Sequence, residues 1–203
     1  MKMVFASSNA HKVREVREIL TGALGFEVEL LGLKDIGFTG DIVEDGDSFE
    51  ENSMIKARAV RDFCSLPTLA DDSGLCVDAL GGAPGIYSAR YAASSHDSGN
   101  SSDEDNTALL LKNVRDKADR SAAYVCAVSF AGDGVSFTVT GDCRGRIIDD
   151  RRGGGGFGYD PVFYMDEFGA TLAQVTEEQK NSVSHRGKAV RLAAKLLNAL
   201  YAK

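Results

Sequence analysis

A chain of 203 residues with 43% hydrophobic and 26% charged residues has the composition of an ordinary globular protein, long enough to bury a core as one large domain or two small lobes. Its net charge of −7 argues against a broad nucleic-acid-binding face, which needs a basic surface, and points to cations gathered in a site. No apolar run approaches the roughly 18 residues of a membrane span, and Met1-Lys2-Met3-Val4-Phe5-Ala6 leaves no room for a signal peptide, so the cytoplasm is the expected compartment.

Met3-Val4-Phe5-Ala6 is a short apolar strand, and Asn9 is a good N-cap for a helix over residues 10–20, with Gly22 as its stop. A second strand is expected at 26–31, then a turn-rich acidic stretch at 37–47. Ser48 and Glu51 have capping-box spacing for a helix that reaches about residue 64 and ends before Pro67. Thr68-Leu69-Ala70 then reads as a short strand delivering Asp71 and Asp72 at its end, where ligands bind in α/β sheets. Residues 94–106 are rich in Ser, Asp, Gly and Asn and read as a surface loop, followed by a helix at 107–117. Residues 122–131 and 135–144 read as an antiparallel hairpin around Gly132-Asp133-Gly134. In the last helix, Ala189, Leu192, Ala193, Leu196, Leu197, Leu200 and Tyr201 form one helical stripe. The fold class is α/β with antiparallel elements. The four cysteines show no C-x-x-C pair, and with three histidines they read as reduced, mostly buried thiols rather than a zinc site.

Four patches carry chemistry. Ser7-Ser8-Asn9-Ala10-His11-Lys12 is a strand-to-helix turn whose N–H groups and helix dipole suit a phosphate, with Lys12 as an added charge; it also fits an ordinary capped turn. Asp71 and Asp72, adjacent on a strand, point in opposite directions, so that one faces the site while the other braces a loop; two close carboxylates are relieved by a divalent cation, although Asp-Asp-Ser-Gly also fits a turn. The glycine run from Arg151 to Pro161 contains G-x-G-x-x-G but runs into Tyr-Asp-Pro instead of a helix. It is therefore no dinucleotide fingerprint. It reads as a flexible loop or as a close backbone approach to a ligand, and Phe157 or Tyr159 either stacks on a base or anchors the loop in a core. Lys180 and Ser184-His185-Arg186 precede the last helix and suit a phosphate or a base edge as well as a cap.

In this order, and with Glu50-Glu51-Asn52-Ser53-Met54-Ile55-Lys56-Ala57, the residues 69–78 and Gly81-Gly82-Ala83-Pro84-Gly85-Ile86-Tyr87-Ser88-Ala89-Arg90, the patches resemble the Ham1/RdgB-type inosine triphosphate pyrophosphatase family over residues 5–188. The resemblance implies a single domain over 1–203, with a mixed, curved central sheet flanked by helices and two lobes around a cleft. It implies a homodimer, Mg2+, and hydrolysis of ITP, dITP and XTP to the monophosphate and pyrophosphate. Through it, Asp72 is matched to the proton acceptor and a metal ligand, and Glu44 to the second metal contact. Ser7, Ser8, Asn9, Ala10, His11 and Lys12 are matched to the triphosphate segment. Ser73, Phe157, Gly158, Tyr159, Asp160, Lys180, His185 and Arg186 are matched to the remaining nucleotide contacts. The alternatives are a related pyrophosphatase of different base preference and a nucleotide-binding sensor without catalysis.

Overall fold

The computed structural model describes residues 1–94 and 99–202. Part of the expected 94–106 loop, residues 95–98, thus lies outside the described residues. The strands are β1 (Lys2–Phe5), β2 (Glu29–Leu31), β3 (Thr68–Val77), β4 (Ser121–Ala131), β5 (Ser136–Ile147), β6 (Phe163–Met165) and β7 (Ala170–Thr171). The helices are α1 (Ala10–Ala23), α2 (Phe49–Cys64), α3 (Asp103–Val114), α4 (Glu177–Val183) and α5 (His185–Tyr201), with 3-10 turns at Asp78–Leu80 and Gly85–Arg90. The strands form one seven-stranded mixed sheet in the order β2-β1-β3-β4-β5-β6-β7. β1 is parallel to β2 and β3, while β6 is antiparallel to β5 and β7. This is the expected α/β class with antiparallel elements.

The chain divides into two compact units. The first comprises Met1–Asp72, Cys126–Gly141 and His185–Lys203. Here the two-residue period of the strands sorts side chains onto two faces. Met3, Phe5, Leu69, Cys126, Val128 and Phe130 pack with Val16 and Leu20 of α1 and with Ala189, Val190, Ala193, Ala194 and Leu197 of α5. Val4, Ala6, Ala70 and Ala131 pack with Ala57 and Val60 of α2. Burying such side chains contributes about 1.5–3 kcal/mol for each large one. Between α2 and the sheet, hydroxyls satisfy one another: Ser53 Oγ lies 2.7 Å from Ser129 Oγ, itself 2.7 Å from Thr138 Oγ1.

The second unit comprises Ser73–Val125 and Asp142–Ser184. Leu75 and Val77 of β3, Tyr124 of β4, Ile147 of β5, and Leu110 and Val114 of α3 form its core with Tyr159, Val162 and Phe163. Asn106, 2% exposed, ties α3 to the chain before it: its Nδ2 donates to Ala89 O and its Oδ1 accepts from Ala92 N–H.

Several boundaries differ from the sequence expectation. α1 runs through Gly22 to Ala23, because Asn198 of α5 supplies the end: it accepts from Gly25 N–H and donates to Ala23 O. β2 begins at Glu29 rather than 26. Ser48 caps α2 by accepting from Glu51 N–H, but Glu51 reaches the Asp47 N–H rather than that of Ser48. β3 continues through Asp71, Asp72, Ser73 and Gly74 to Val77, so these residues are mid-strand, neither a turn nor a strand end. α3 starts earlier, at Asp103 behind an Ser102 cap. The expected stripe of α5 splits: Ala189, Ala193 and Leu197 are buried, whereas Leu192, Leu196 and Leu200 are more than 40% exposed. All four cysteines are free, Cys126 and Cys143 buried and Cys64 and Cys76 partly so. Among the described residues, no helix is long and apolar enough to cross a membrane.

Candidate active site

The strand-to-helix turn after β1 is built as its sequence directs. Asn9 caps α1, its Oδ1 accepting from the N–H groups of His11 (2.9 Å) and Lys12 (3.3 Å), while its own N–H donates to Ser7 Oγ. Ser8, Asn9, Ala10 and His11 are exposed and Ser7 and Lys12 partly buried. The helix N-terminus, with its positive dipole end, is thus presented on the surface.

Because β3 continues through the carboxylate pair, Asp71 and Asp72 point to opposite faces of the sheet. Asp71 is 1% exposed and faces α1 and α5. Its Oδ2 lies 3.0 Å from Lys12 Nζ and 3.0 Å from Arg186 Nε, and the Arg186 Nη1 lies 2.6 Å from Glu15 Oε2. Burial works to raise the Asp71 pKa, but Lys12 and Arg186 outweigh it and hold the carboxyl well below the usual range. Burial likewise opposes the Arg186 charge, and Asp71 and Glu15 outweigh that penalty. Cys126, with Sγ 4.0 Å from Asp71 Oδ2, is pushed up by burial and by that carboxylate, so it stays a thiol.

Asp72 faces α2. Its Oδ1 lies 3.3 Å from Lys56 Nζ, which is also 2.5 Å from Glu44 Oε2. Burial raises the Asp72 pKa, Lys56 pulling it back and Glu44 adding to the rise. Burial disfavours the Lys56 charge, yet Asp72 and Glu44 more than compensate and its pKa is raised. The segment carrying Glu44 is anchored where Gly46 donates its N–H to the buried Asn52 of α2. Two hard oxygen donors thus converge on one cation, here the Lys56 ammonium. That donor set fits a divalent ion such as Mg2+, which takes one or two protein carboxylates and completes its shell with water and phosphate oxygens.

In the second unit, the glycine run is tied by hydrogen bonds at several points. Arg152 N–H donates to Pro161 O, Gly155 N–H to Ala173 O, and Thr171 Oγ1 to Arg152 O. Asp160 Oδ2 accepts from Phe157 N–H (3.0 Å) and from Lys180 Nζ (2.6 Å), and Lys180 Nζ stands 4.7 Å from the Phe157 ring centroid. Gly156 is required here: its φ is +71°, and a Cβ would strike the Asp160 carboxylate. Of the two loop aromatics, Tyr159 is buried in the core and donates its hydroxyl to Ser88 O, whereas Phe157 is 40% exposed. Of these two, Phe157 is the more exposed.

Sequence reasoning placed the cationic residues of the fourth patch before the last helix. In the structure His185 and Arg186 are the first residues of α5, both buried, and Lys180 sits in α4. Ser73 is partly buried, directly after Asp72. Two charged neighbours escaped sequence reasoning. Lys56 falls on the stripe of α2 that buries Ser53, Ala57 and Val60, a place where a cation signals a buried partner. Glu15 lies one turn beyond Lys12, the spacing that puts both on one face.

The sequence pattern described as the Ham1 family matches residues 3–196. A dITP/XTP pyrophosphatase from Geobacter sulfurreducens is 44% identical over 194 residues, covering 94% of each chain. One from Desulforamulus reducens is 44% identical over 204 residues, covering 99% of this chain and 98% of its own. The structure of the Staphylococcus aureus Ham1 protein superposes with a TM-score of 0.87 at 37% identity, covering 98% of this chain and 100% of that one.

Proposed function

The chain belongs to the Ham1 family, and on that premise we propose that it hydrolyses non-standard purine nucleoside triphosphates (ITP, dITP and XTP) to the monophosphate and pyrophosphate. The observation that carries the reading is the convergence of Glu44 and Asp72 on one cation position, next to a strand-end helix N-terminus armed with Lys12. Cleavage between the α and β phosphates needs negative charge neutralised, a water aligned and a base to take its proton.

The turn Ser7, Ser8, Asn9, Ala10, His11 and Lys12 binds the triphosphate through the helix N-terminus and the Lys12 ammonium. Glu44 and Asp72 hold Mg2+, which when bound supplies positive charge against the phosphates. Asp72 also orients the attacking water and accepts its proton. Lys56 keeps Asp72 and Glu44 compensated in the absence of the ion and adds positive charge beside the phosphates. Phe157 stacks on the purine, with Gly158, Tyr159, Asp160 and Lys180 shaping the loop around it, and Ser73, His185 and Arg186 complete the nucleotide contacts. Donors facing the purine 6-position donate to a keto oxygen and meet a mismatched amino group in ATP, a mismatch that can discriminate by about four to five powers of ten.

The protein works as one domain in the cytoplasm, as a homodimer and without nucleic acid; the charge of −7 supports the last point. Hydrolysis of ITP, XTP, dTTP, UTP and ATP with Mg2+, with pyrophosphate and orthophosphate measured separately, tests the reading. The expected result is pyrophosphate from ITP and XTP, lost in Asp72→Asn. Fast ATP turnover refutes the selectivity, and orthophosphate as the product refutes the bond assignment.

A further inference from the structure

The first turn of α3 has no part in the reading above, yet it grips both ends of the glycine-rich loop. At one end the Arg151 guanidinium donates to Glu104 O at 3.1 Å and pairs with Glu104 Oε1 at 2.5 Å. At the other the Gly158 N–H donates to Asp103 Oδ2 at 2.6 Å. The two successive amides of the loop tip are therefore each taken by a carboxylate: Phe157 N–H by Asp160 inside the loop, and Gly158 N–H by Asp103 from outside it.

The outside contact matters because of what lies at the tip. Gly158 has φ +62°, a conformation that glycine adopts without preferring it, so the local chain does not hold the peptide plane by itself. The platform that does hold it is rigid. Ser102 caps α3 by accepting from Asp105 N–H, Asn106 is locked by Ala89 and Ala92, and Leu110 and Val114 are fully buried. The Phe157 ring, with Lys180 near its face, is the side chain of this loop that the proposed function sets against the base.

We infer that Asp103 is a positioning residue for base recognition: through the Gly158 N–H it fixes the plane of the peptide that carries Phe157, and so the ring on which the purine stacks. This rests on the proposed placement of Phe157 against the base. Asp103 touches no substrate, and its contribution is confined to ligands that carry a base. A hydrogen bond of ordinary strength at this point corresponds to about a fivefold change in KM.

The test compares KM for ITP with the inhibition constant of inorganic tripolyphosphate, which has phosphates and no base. Asp103→Ala is expected to raise KM for ITP about fivefold, with kcat within about twofold. The tripolyphosphate constant stays unchanged. Asp103→Asn, which keeps an acceptor for Gly158, restores KM. Asp105→Ala, which removes a carboxylate from the same helix turn without touching the loop, leaves KM unchanged. In a Phe157→Ala background the Asp103 substitution adds nothing. Should Asp103→Ala not fold, Asp103→Ser takes its place. The inference is overturned if Phe157→Ala raises KM while the Asp103 variants do not, or if the tripolyphosphate constant moves in parallel with KM. If Phe157→Ala leaves KM for ITP untouched, the placement of the base itself is wrong, and the inference falls with it.

Discussion

Replacing Lys56 by methionine removes the cation on which Glu44 and Asp72 converge while keeping the length of the side chain. Breaking a fully buried ion pair by deleting one partner costs about 3–5 kcal/mol. Here Asp72 is 14% exposed but Glu44 is 33% exposed, so solvent screens part of that cost, and about 2 kcal/mol of destabilisation remains in mildly alkaline solution. The sign of the pH dependence follows from Asp72. Its folded pKa is already raised, and without Lys56 it loses its lowering influence and rises further. As pH falls through that value Asp72 takes up a proton, the repulsion with Glu44 disappears, and the deficit of the variant shrinks. Urea unfolding of both proteins at pH 8 and pH 5, each with chelator or with millimolar Mg2+, measures this directly. The expected deficit is largest at pH 8 with chelator, smaller at pH 5, and reduced at pH 8 by Mg2+ in the variant more than in the parent. An equal deficit at both pH values, unchanged by Mg2+, would refute the account of Lys56 as the counter-charge of a cation site.

Two further outcomes follow from the same network. Asp71 has a folded pKa below its unfolded value of about 3.9, so its stabilisation is present above that pH and is lost as pH falls. Asp71→Asn should therefore destabilise the protein near neutrality and flatten the acid side of its stability curve, as read by thermal melting from pH 7 to pH 3. Gly141 of β5 lies under the first turn of α5, and a Cβ there would stand 2.7 Å from Ala189 N. Gly141→Ala should cost about 1–3 kcal/mol by forcing the helix start outward. Because His185 and Arg186 begin that helix, the loss of activity with ITP should exceed the loss expected from unfolding alone.

Much of the molecule is legible from short-range patterns. The caps Asn9 and Ser48, the β4–β5 connection around Gly132-Asp133-Gly134, and the apolar period of β1 all depend on residues within a few positions of each other. Such signals survive without tertiary context because the hydrogen bonds that satisfy them are local. The order of the motifs is likewise a property of the chain alone, and the resemblance to the family rests on it. Boundaries set from afar are not legible in this way. Nothing near Gly22 announces that Asn198, on another helix, ends α1, and nothing in Asp-Asp-Ser-Gly reveals that neighbouring strands extend β3 through it.

The site divides along the same line. Which residue types make up the candidate site, namely a helix-start lysine, paired acids and an aromatic loop, was determined by the sequence. What each side chain does with its charge was decided only by the tertiary structure. Strand alternation sends Asp71 to Lys12 and Arg186, and Asp72 to Lys56 and Glu44. It divides one acidic pair between two sets of direct ion-pair partners, whose charges still act on one another across the strand. The same applies to the loop aromatics, where packing buries Tyr159 and leaves Phe157 open. The physical reason is that a charge or a ring is satisfied by whatever the fold brings within a few ångströms, and in this protein those partners come from elements far apart in the chain.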